Sequence, residues 1–414
     1  MEGNRSIIWL AGKYLRGRSR SGIGREHYLT LLGITLGVVA LIAVSSVMNG
    51  FRADIKARII GTLAELRLSS KEASPLEDYR ELIVSLESRG YQAAPVVRSE
   101  LLLKRDNLAV PALCFGIDPE IHPDVAPVLR QAREDGTFEG LLAGDLQDFG
   151  DSGVVLGAGL ASSLGVFTGD QVQLISPLFN VPTAFGLLPR VKSLRVVAIF
   201  SAGMPEYDQN YAFIPLPVAQ EFNAYADAVD YLEIRSSNPD QSRKALQDLR
   251  PHYPQYLLED WSSFDASLYG AIRFEKYLMF VIMLFMFIIA SFNLTGSLLK
   301  LISQKKSELG LLKALGYEER ELRHLFLYQG LILSSIGILG GILIGTLLLL
   351  IQGHFGVVKL ALGGGDAIVL PVKMLLADYL LVIIVSYGLT ILSVLLPLRR
   401  LREIDAVELI RRNA

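Results

Sequence analysis

Four stretches of this 414-residue chain carry no charged side chain and are long enough to cross a bilayer: 28–51, 277–299, 325–353 and 379–398. A helix needs roughly 20 mostly apolar residues to cross about 30 Å of hydrocarbon, where backbone polar groups must be satisfied within the segment. Their spacing constrains the fold further than their number. The first is followed by a long polar stretch, 52–271, and the other three crowd into the C-terminal third. This layout predicts a membrane protein of four transmembrane α-helices, with a large α+β domain inserted between helices 1 and 2. A mean hydropathy of +0.38 with 20% charged residues fits that mixture: too apolar for an ordinary soluble enzyme, too polar for spans alone.

The apolar run at 28–51 follows Arg5, Lys13, Arg16, Arg18, Arg20 and Arg25, as a secretion signal's would. It is longer than the about 7–15 apolar residues of a cleavable signal, so it reads as a retained anchor. Orientation follows from lysine and arginine in the short connections. The arm 1–27 is basic; so are the connection 300–324 (Lys300, Lys305, Lys306, Lys313, Arg320, Arg323) and the tail 399–414 (Arg399, Arg400, Arg402, Arg411, Arg412). The short loop 354–377 has only Lys359 and Lys373. With spans at 28–51, 272–299, 325–353 and 378–398, the three basic segments and both termini fall in the cytoplasm, and 52–271 lies outside.

Within 52–271, Thr62–Ser69 alternates like a strand, and Leu76–Ser88 places Tyr79, Leu82, Ile83 and Leu86 at helical spacing. Leu101–Lys104 and Leu108–Phe115 flank a turn at Arg105-Asp106-Asn107 and read as a hairpin. Gln171–Ser176, Leu194–Phe200, Tyr211–Ile214 and Tyr231–Ile234 read as short strands, with helical patches near 216–224 and 239–249. The single cysteine, Cys114, excludes an intrachain disulfide and reads as a buried strand residue. No paired-histidine metal motif, Gly-x-Ser-x-Gly elbow or CxxC is present, and neither the net charge of −2 nor any basic patch suggests nucleic acid.

Between 177 and 192 the strand pattern fails: three prolines, a glycine and several large apolar residues predict a poor central strand. Two readings stay open, a protruding binding loop or a β-hairpin packed on its own domain. On the inner side, Leu309, Leu312 and Leu315 recur among Lys305, Lys306, Glu308 and Lys313. Gly316 suits a helix end, and Glu318, Glu319 and Glu321 suit the start of the next helix. Such an element either lies on lipid or is gripped by a soluble partner.

The stretches 28–51, 277–299, 325–353 and 379–398 contain no Asp, Glu, Lys, Arg or His, which argues against an ion-coupled carrier or an intramembrane hydrolase. The chain also lacks a Gly-x-x-x-x-Gly-Lys-Ser/Thr phosphate loop, so the energy for any work must come from a partner. Gly33 and Gly37, and the ladder Gly337, Gly341 and Gly345, predict close helix packing. Met279, Met283 and Met286 share one face of the second span, suited either to acyl chains or to ordinary packing.

Four places in this pattern resemble the LolC/LolE family, the membrane subunits of the bacterial lipoprotein-releasing ABC system. They are Ser45-Ser-Val-Met-Asn-Gly-Phe51; Ser267–Met279 running on to Ala290-Ser-Phe-Asn293; Lys306-Ser-Glu-Leu-Gly-Leu-Leu-Lys-Ala-Leu-Gly316 with Gln329-Gly330; and Pro397-Leu-Arg-Arg with Ile404–Ile410. The third is shared with FtsX- and MacB-type permeases, and the first narrows the match to lipoprotein release. The resemblance implies a non-catalytic permease subunit of the bacterial inner membrane with its large domain in the periplasm. It binds no cofactor itself, ATP and Mg being held by a LolD-like ATPase dimer. It implies a second permease subunit (another copy or a LolC/LolE-type paralogue), lipoprotein cargo, contact with membrane lipid and a periplasmic LolA-like chaperone. Carried onto this sequence, Val44, Val47, Met48, Phe51, Met279 and Met283 would contact acyl chains. Lys305, Lys306, Glu308, Leu312, Lys313 and Gly316 would couple to the ATPase. The segment 177–192 would be a chaperone-binding hook through Phe185, Leu188, Pro189 and Arg190, with LolC-like and LolE-like roles both open. The rival readings are a MacB- or FtsX-like permease for peptide efflux or cell-wall hydrolase control, and a membrane-anchored sensor.

Overall fold

The computed structural model describes residues 28–132, 140–183, 186–237, 242–264, 316–360 and 368–398, with scattered positions between 270 and 300. It divides into two compact units, Ile55–Ala271 and Met1–Asp54 with Ile272–Ala414. The first helix, α1 (Tyr28–Leu63), runs unbroken for 36 residues. The expected strand at Thr62–Ser69 is therefore corrected: Thr62 and Leu63 finish a helix, and β1 covers Leu66–Ser70. Over so few residues an alternating pattern cannot be told from one side of a helix. Ile59 and Leu63 bury on one helical face, and Ala64, at φ +63°, ends it.

The Ile55–Ala271 unit is built on one ten-stranded sheet. After β1 come α2 (Tyr79–Glu87), β2 (Gln92–Arg105), β3 (Leu108–Ile117), α3 (His122–Val125), β4 (Gly140–Gly144), β5 (Gly153–Gly157), α4 (Ala158–Leu164), β6 (Gln171–Thr183) and β7 (Gly186–Ser201). There follow α5 (Pro205–Asn210), β8 (Tyr211–Pro215), α6 (Leu216–Phe222), β9 (Tyr231–Arg235), α7 (Ser242–Leu249), β10 (Tyr256–Asp260) and α8 (Trp261–Phe264). The strand order is β10-β1-β9-β2-β3-β8-β5-β7-β4, with β6 pairing β2 and β7.

Successive strand residues point to opposite faces, and here both faces are covered. Val154, Leu156, Ala212, Ile214, Leu232 and Ile234 share a core with Leu82 and Leu86 of α2, Leu160 and Leu164 of α4, and Phe222 of α6. Their neighbours Val155, Tyr211, Phe213 and Tyr231 join a second core with Ile59 and Leu63 of α1, Phe149, Phe200 and Tyr207. Tyr79, Leu82, Ile83 and Leu86 are all buried, as their helical spacing predicts. The β2–β3 hairpin pairs Arg105 with Leu108 across a two-residue turn whose Asp106 takes φ +51°, which a short polar residue tolerates. Cys114 lies on β3, fully buried.

The segment 177–192 takes one of its two open readings, a β-hairpin. It forms the outer part of the β6–β7 hairpin, with Asn180 opposite Pro189, Val181 opposite Leu188 and Thr183 opposite Gly186. The prolines fit because β2 pairs β6 only at Gln173–Ile175. Among the described residues no third strand pairs with the arm beyond that point, so no ladder there requires the N–H a proline lacks.

In the other unit, α9 (Glu319–Phe355) and α10 (Leu376–Leu398) flank a small pair of strands, β11 (Lys359–Leu360) and β12 (Ile368–Val369). Three helices among the described residues are long and apolar enough to cross a membrane: Thr30–Leu63, Arg320–Phe355 and Leu376–Val394. The expected second span, 272–299, falls partly outside the described residues; its described positions are helical. The glycine ladder packs where close approach is needed: Gly337 meets Ile34, Gly341 meets Val38, and Gly345 meets Val39 and Ile42. Thr35 Oγ1 donates to the Gly337 carbonyl at 3.3 Å. Helices α9 and α10 are joined by Thr390–Ser334 and Ser335–Tyr387 hydrogen bonds of 2.8 Å and by Thr346–Tyr379 at 3.1 Å.

Candidate functional site

The C-terminal half of the apolar stretch in α1 carries four of the expected acyl-chain contacts. Val47 and Phe51 stand one helical turn apart on the same face, and with Val44 they are half-buried. Met48 is different: at 7% exposure it is packed inside the chain. Met279 is helical and half-buried, while Met283 lies outside the described residues.

The rest of the Val-Met-Asn-Gly-Phe run is engaged by the segment that leads into α10. The Asn49 amide donates to the Asp378 carboxylate. The Lys373 N–H donates to the Ser46 carbonyl at 2.9 Å. A Cβ on Gly50 would overlap the Pro371 carbonyl and approach the Val372 nitrogen to 2.8 Å. The preceding turn is also held: the Gln352 side chain accepts from Val358 N–H at 2.8 Å and donates to the Val358 and Leu370 carbonyls.

On the Ile55–Ala271 unit, the β6–β7 arm presents apolar side chains at its surface. Leu188 is 52% and Val191 49% exposed, Pro189 is exposed, and Arg190 is half-buried. Phe185 lies outside the described residues. The arm is tied at its root by a Lys192–Glu221 ion pair at 3.0 Å. A polar cleft of about 610 Å³ is lined in part by Ser176 of β6. On its wall the Arg67 guanidinium lies 3.8 Å over the Tyr231 ring. The Tyr225 hydroxyl donates to Asp230 at 2.8 Å, and Asp230 accepts the Arg98 N–H at 2.7 Å. Burial and the Asp230 bond push the Tyr225 hydroxyl up to about 12, and burial raises Tyr231, so both stay protonated. The cleft offers hydrogen-bonding and charged groups. Its residues come from β1, β2, β6, β9, β10 and the turn after α6, at no spacing a sequence pattern could register.

The sequence reading also missed how the domain grips the end of α1. Arg58 donates to the Gly203 carbonyl at 3.1 Å. Asp208 accepts from the Ala202 N–H at 2.7 Å and the Ser201 hydroxyl at 3.0 Å. Burial nevertheless raises the Asp208 carboxyl above its ordinary value, against the pull of those bonds and of Arg58. The Glu65 carboxylate accepts from Ser236 N–H at 2.5 Å, and its carbonyl takes the Trp261 N–H at 2.9 Å. β1, which follows α1, pairs in register with β10, Leu66 opposite Asp260. The strand leaving the first helix and the strand before the second expected span are thus direct neighbours.

Of the coupling residues, Lys305, Lys306, Glu308, Leu312 and Lys313 lie outside the described residues. Gly316 takes φ +95°, which suits glycine, and just after it Glu318 and Glu321 form a reciprocal capping box at the start of α9.

Among the described residues no group of three or more His, Cys, Asp or Glu could hold a metal. The pattern of the MacB-like periplasmic core domain family matches residues 28–252, more than half of the chain, and that of the FtsX-like permease C-terminal family matches 280–406. The class is therefore a MacB/FtsX-like permease with a periplasmic domain. The chain is 28% identical to the lipoprotein-releasing system transmembrane protein LolC of Neisseria meningitidis serogroup B, covering 97% of this chain and 98% of that protein. It is 29% identical to LolC of Xylella fastidiosa (96% and 97% covered). It is 25% identical to the lipoprotein-releasing system transmembrane protein LolE of Haemophilus influenzae (97% and 98%). The chain belongs to the LolC/LolE family.

Proposed function

We propose that this chain is the permease subunit of an ABC transporter that extracts lipoproteins from the outer leaflet of the bacterial inner membrane and hands them to a periplasmic chaperone. The observation that carries this reading is likeness over nearly the whole length, spans and periplasmic domain together, to proteins named for lipoprotein release. Four spans, cytoplasmic termini and a separate ATPase dimer complete it, with a second permease subunit beside this one. Acyl chains enter from the outer leaflet against Val44, Val47 and Phe51. Closure of the ATPases moves the segment 305–316 and narrows the cavity, and the lipid passes to a chaperone held by the β6–β7 arm. Extraction costs about 0.8 kcal/mol per methylene, so several chains need both an energy source and a receiving pocket. ATP hydrolysis belongs to the partner, and the residues of this chain bind, guide and transmit.

Depleting the protein should leave outer-membrane lipoproteins stranded in the inner membrane. Normal sorting under depletion would sink the cargo assignment and revive the MacB- or FtsX-like reading, to which the two domain families conform equally. Deleting 305–316 should abolish lipoprotein-stimulated ATP hydrolysis while the outer domain stays folded.

A further inference from the structure

The Asn49–Gly50 pair has a task that acyl-chain contact does not explain. We propose that Asn49, Gly50 and Asp378 form a staple that fixes the Pro371–Asp378 segment, and with it the start of α10, to α1. Three independent contacts meet within one and a half turns of α1. The Asn49 amide donates to the Asp378 carboxylate. The Ser46 carbonyl takes the Lys373 N–H at 2.9 Å. The bare Cα of Gly50 admits the Pro371 carbonyl where any Cβ would collide. The bond between Asn49 and Asp378 is charge-assisted, and the carboxylate sits in the first turn of α10, where the helix dipole favours negative charge.

The staple gives α1 two faces with different duties. Ser46, Asn49 and Gly50 are occupied by the chain's own outer segment, and Ser46 is buried. Val47 and Phe51 turn away from Asn49 by helical spacing and stay half-exposed. Asn49 and Gly50 are therefore positioning residues, which hold α10 against α1 while the other side of α1 meets the cargo. This part of the inference rests on the proposed function; the staple itself does not.

The test uses the full-length protein in its complex with the ATPase. N49A and D378A should each lower lipoprotein-stimulated ATP hydrolysis about tenfold, the factor expected for loss of a charge-assisted hydrogen bond, with basal hydrolysis unchanged. The swap N49D/D378N restores one donor and one acceptor in reversed order and should recover stimulation. A purely structural defect would lower basal hydrolysis and protein yield together, and that result overturns the positioning role. A swap as impaired as the single variants also overturns it, as does full activity of N49A. A cysteine pair at 49 and 378 should be bridged by a short bifunctional thiol crosslinker in native membranes, and its failure to bridge overturns the staple. Because this crosslink needs no cargo, it separates failure of the staple from failure of the lipoprotein reading.

Discussion

Cys114 and Asp208 show what burial does to an ionisable side chain in this domain. Cys114 sits on β3 with no exposed surface, and burial pushes its thiol up to about 12. It is the single cysteine, so a maleimide at pH 8 should leave the folded protein unlabelled and modify one thiol per chain after denaturation. Asp208 carries the opposite sort of information. Its carboxyl is raised in the fold, chiefly by burial. Just above the ordinary carboxylate range the folded form keeps a proton that the unfolded form has released. Stability contributed by this residue therefore falls as pH rises through that window. Asp208→Asn should flatten that part of the pH profile of the outer domain's unfolding, followed by urea denaturation of the full-length protein.

At the scale of elements, the β6–β7 arm and the α1–α9 contact make contrasting predictions. On the outer arm Leu188 and Val191 are exposed, and the core members of these strands include Leu174 and Leu194. Replacing 178–188 by a short glycine turn should leave the domain's denaturation midpoint almost unchanged and abolish transfer to the chaperone, read as lipoprotein retained in spheroplasts. The helix contact has no such slack. A Cβ on Gly341 would approach Val38 Cβ to 2.6 Å and the Thr35 carbonyl to 2.9 Å. Gly341→Leu overpacks that crossing and should cost about 1–3 kcal/mol, visible as a lower melting temperature in detergent.

For the whole molecule the testable quantity is sidedness. The basic arm, inner connection and tail predict that 52–271 faces the periplasm. Leu188→Cys, at an exposed site on the arm, should react with an impermeant maleimide in cells whose outer membrane has been opened. Arg320→Cys, at the start of α9, should react only after the inner membrane is permeabilised. The reverse pattern would overturn the orientation.

What was legible in the chain follows from terms that act locally. Hydrocarbon length and absence of charge made the spans readable. Helical spacing buried Tyr79, Leu82, Ile83 and Leu86, and Asp106 marked the β2–β3 turn. Residues 177–192 left two readings open because proline weakens a strand only where a neighbour needs its N–H, and whether a third strand lies alongside is a tertiary fact. Thr62 and Leu63 misled because Thr62–Ser69 joins a helix end to a strand, and so short a pattern cannot place the boundary. The engagement of one face of α1 by the segment leading into α10 was also beyond reach. Asn49 and Asp378 are 329 residues apart, and only folding brings that amide to that carboxylate. Membrane location and family could be read from the chain alone, because solvation and charge act residue by residue. The tertiary structure alone decided that Met48 is packed inside, that a proline-rich segment becomes an arm and that Gly50 must stay bare, because each depends on what lies alongside.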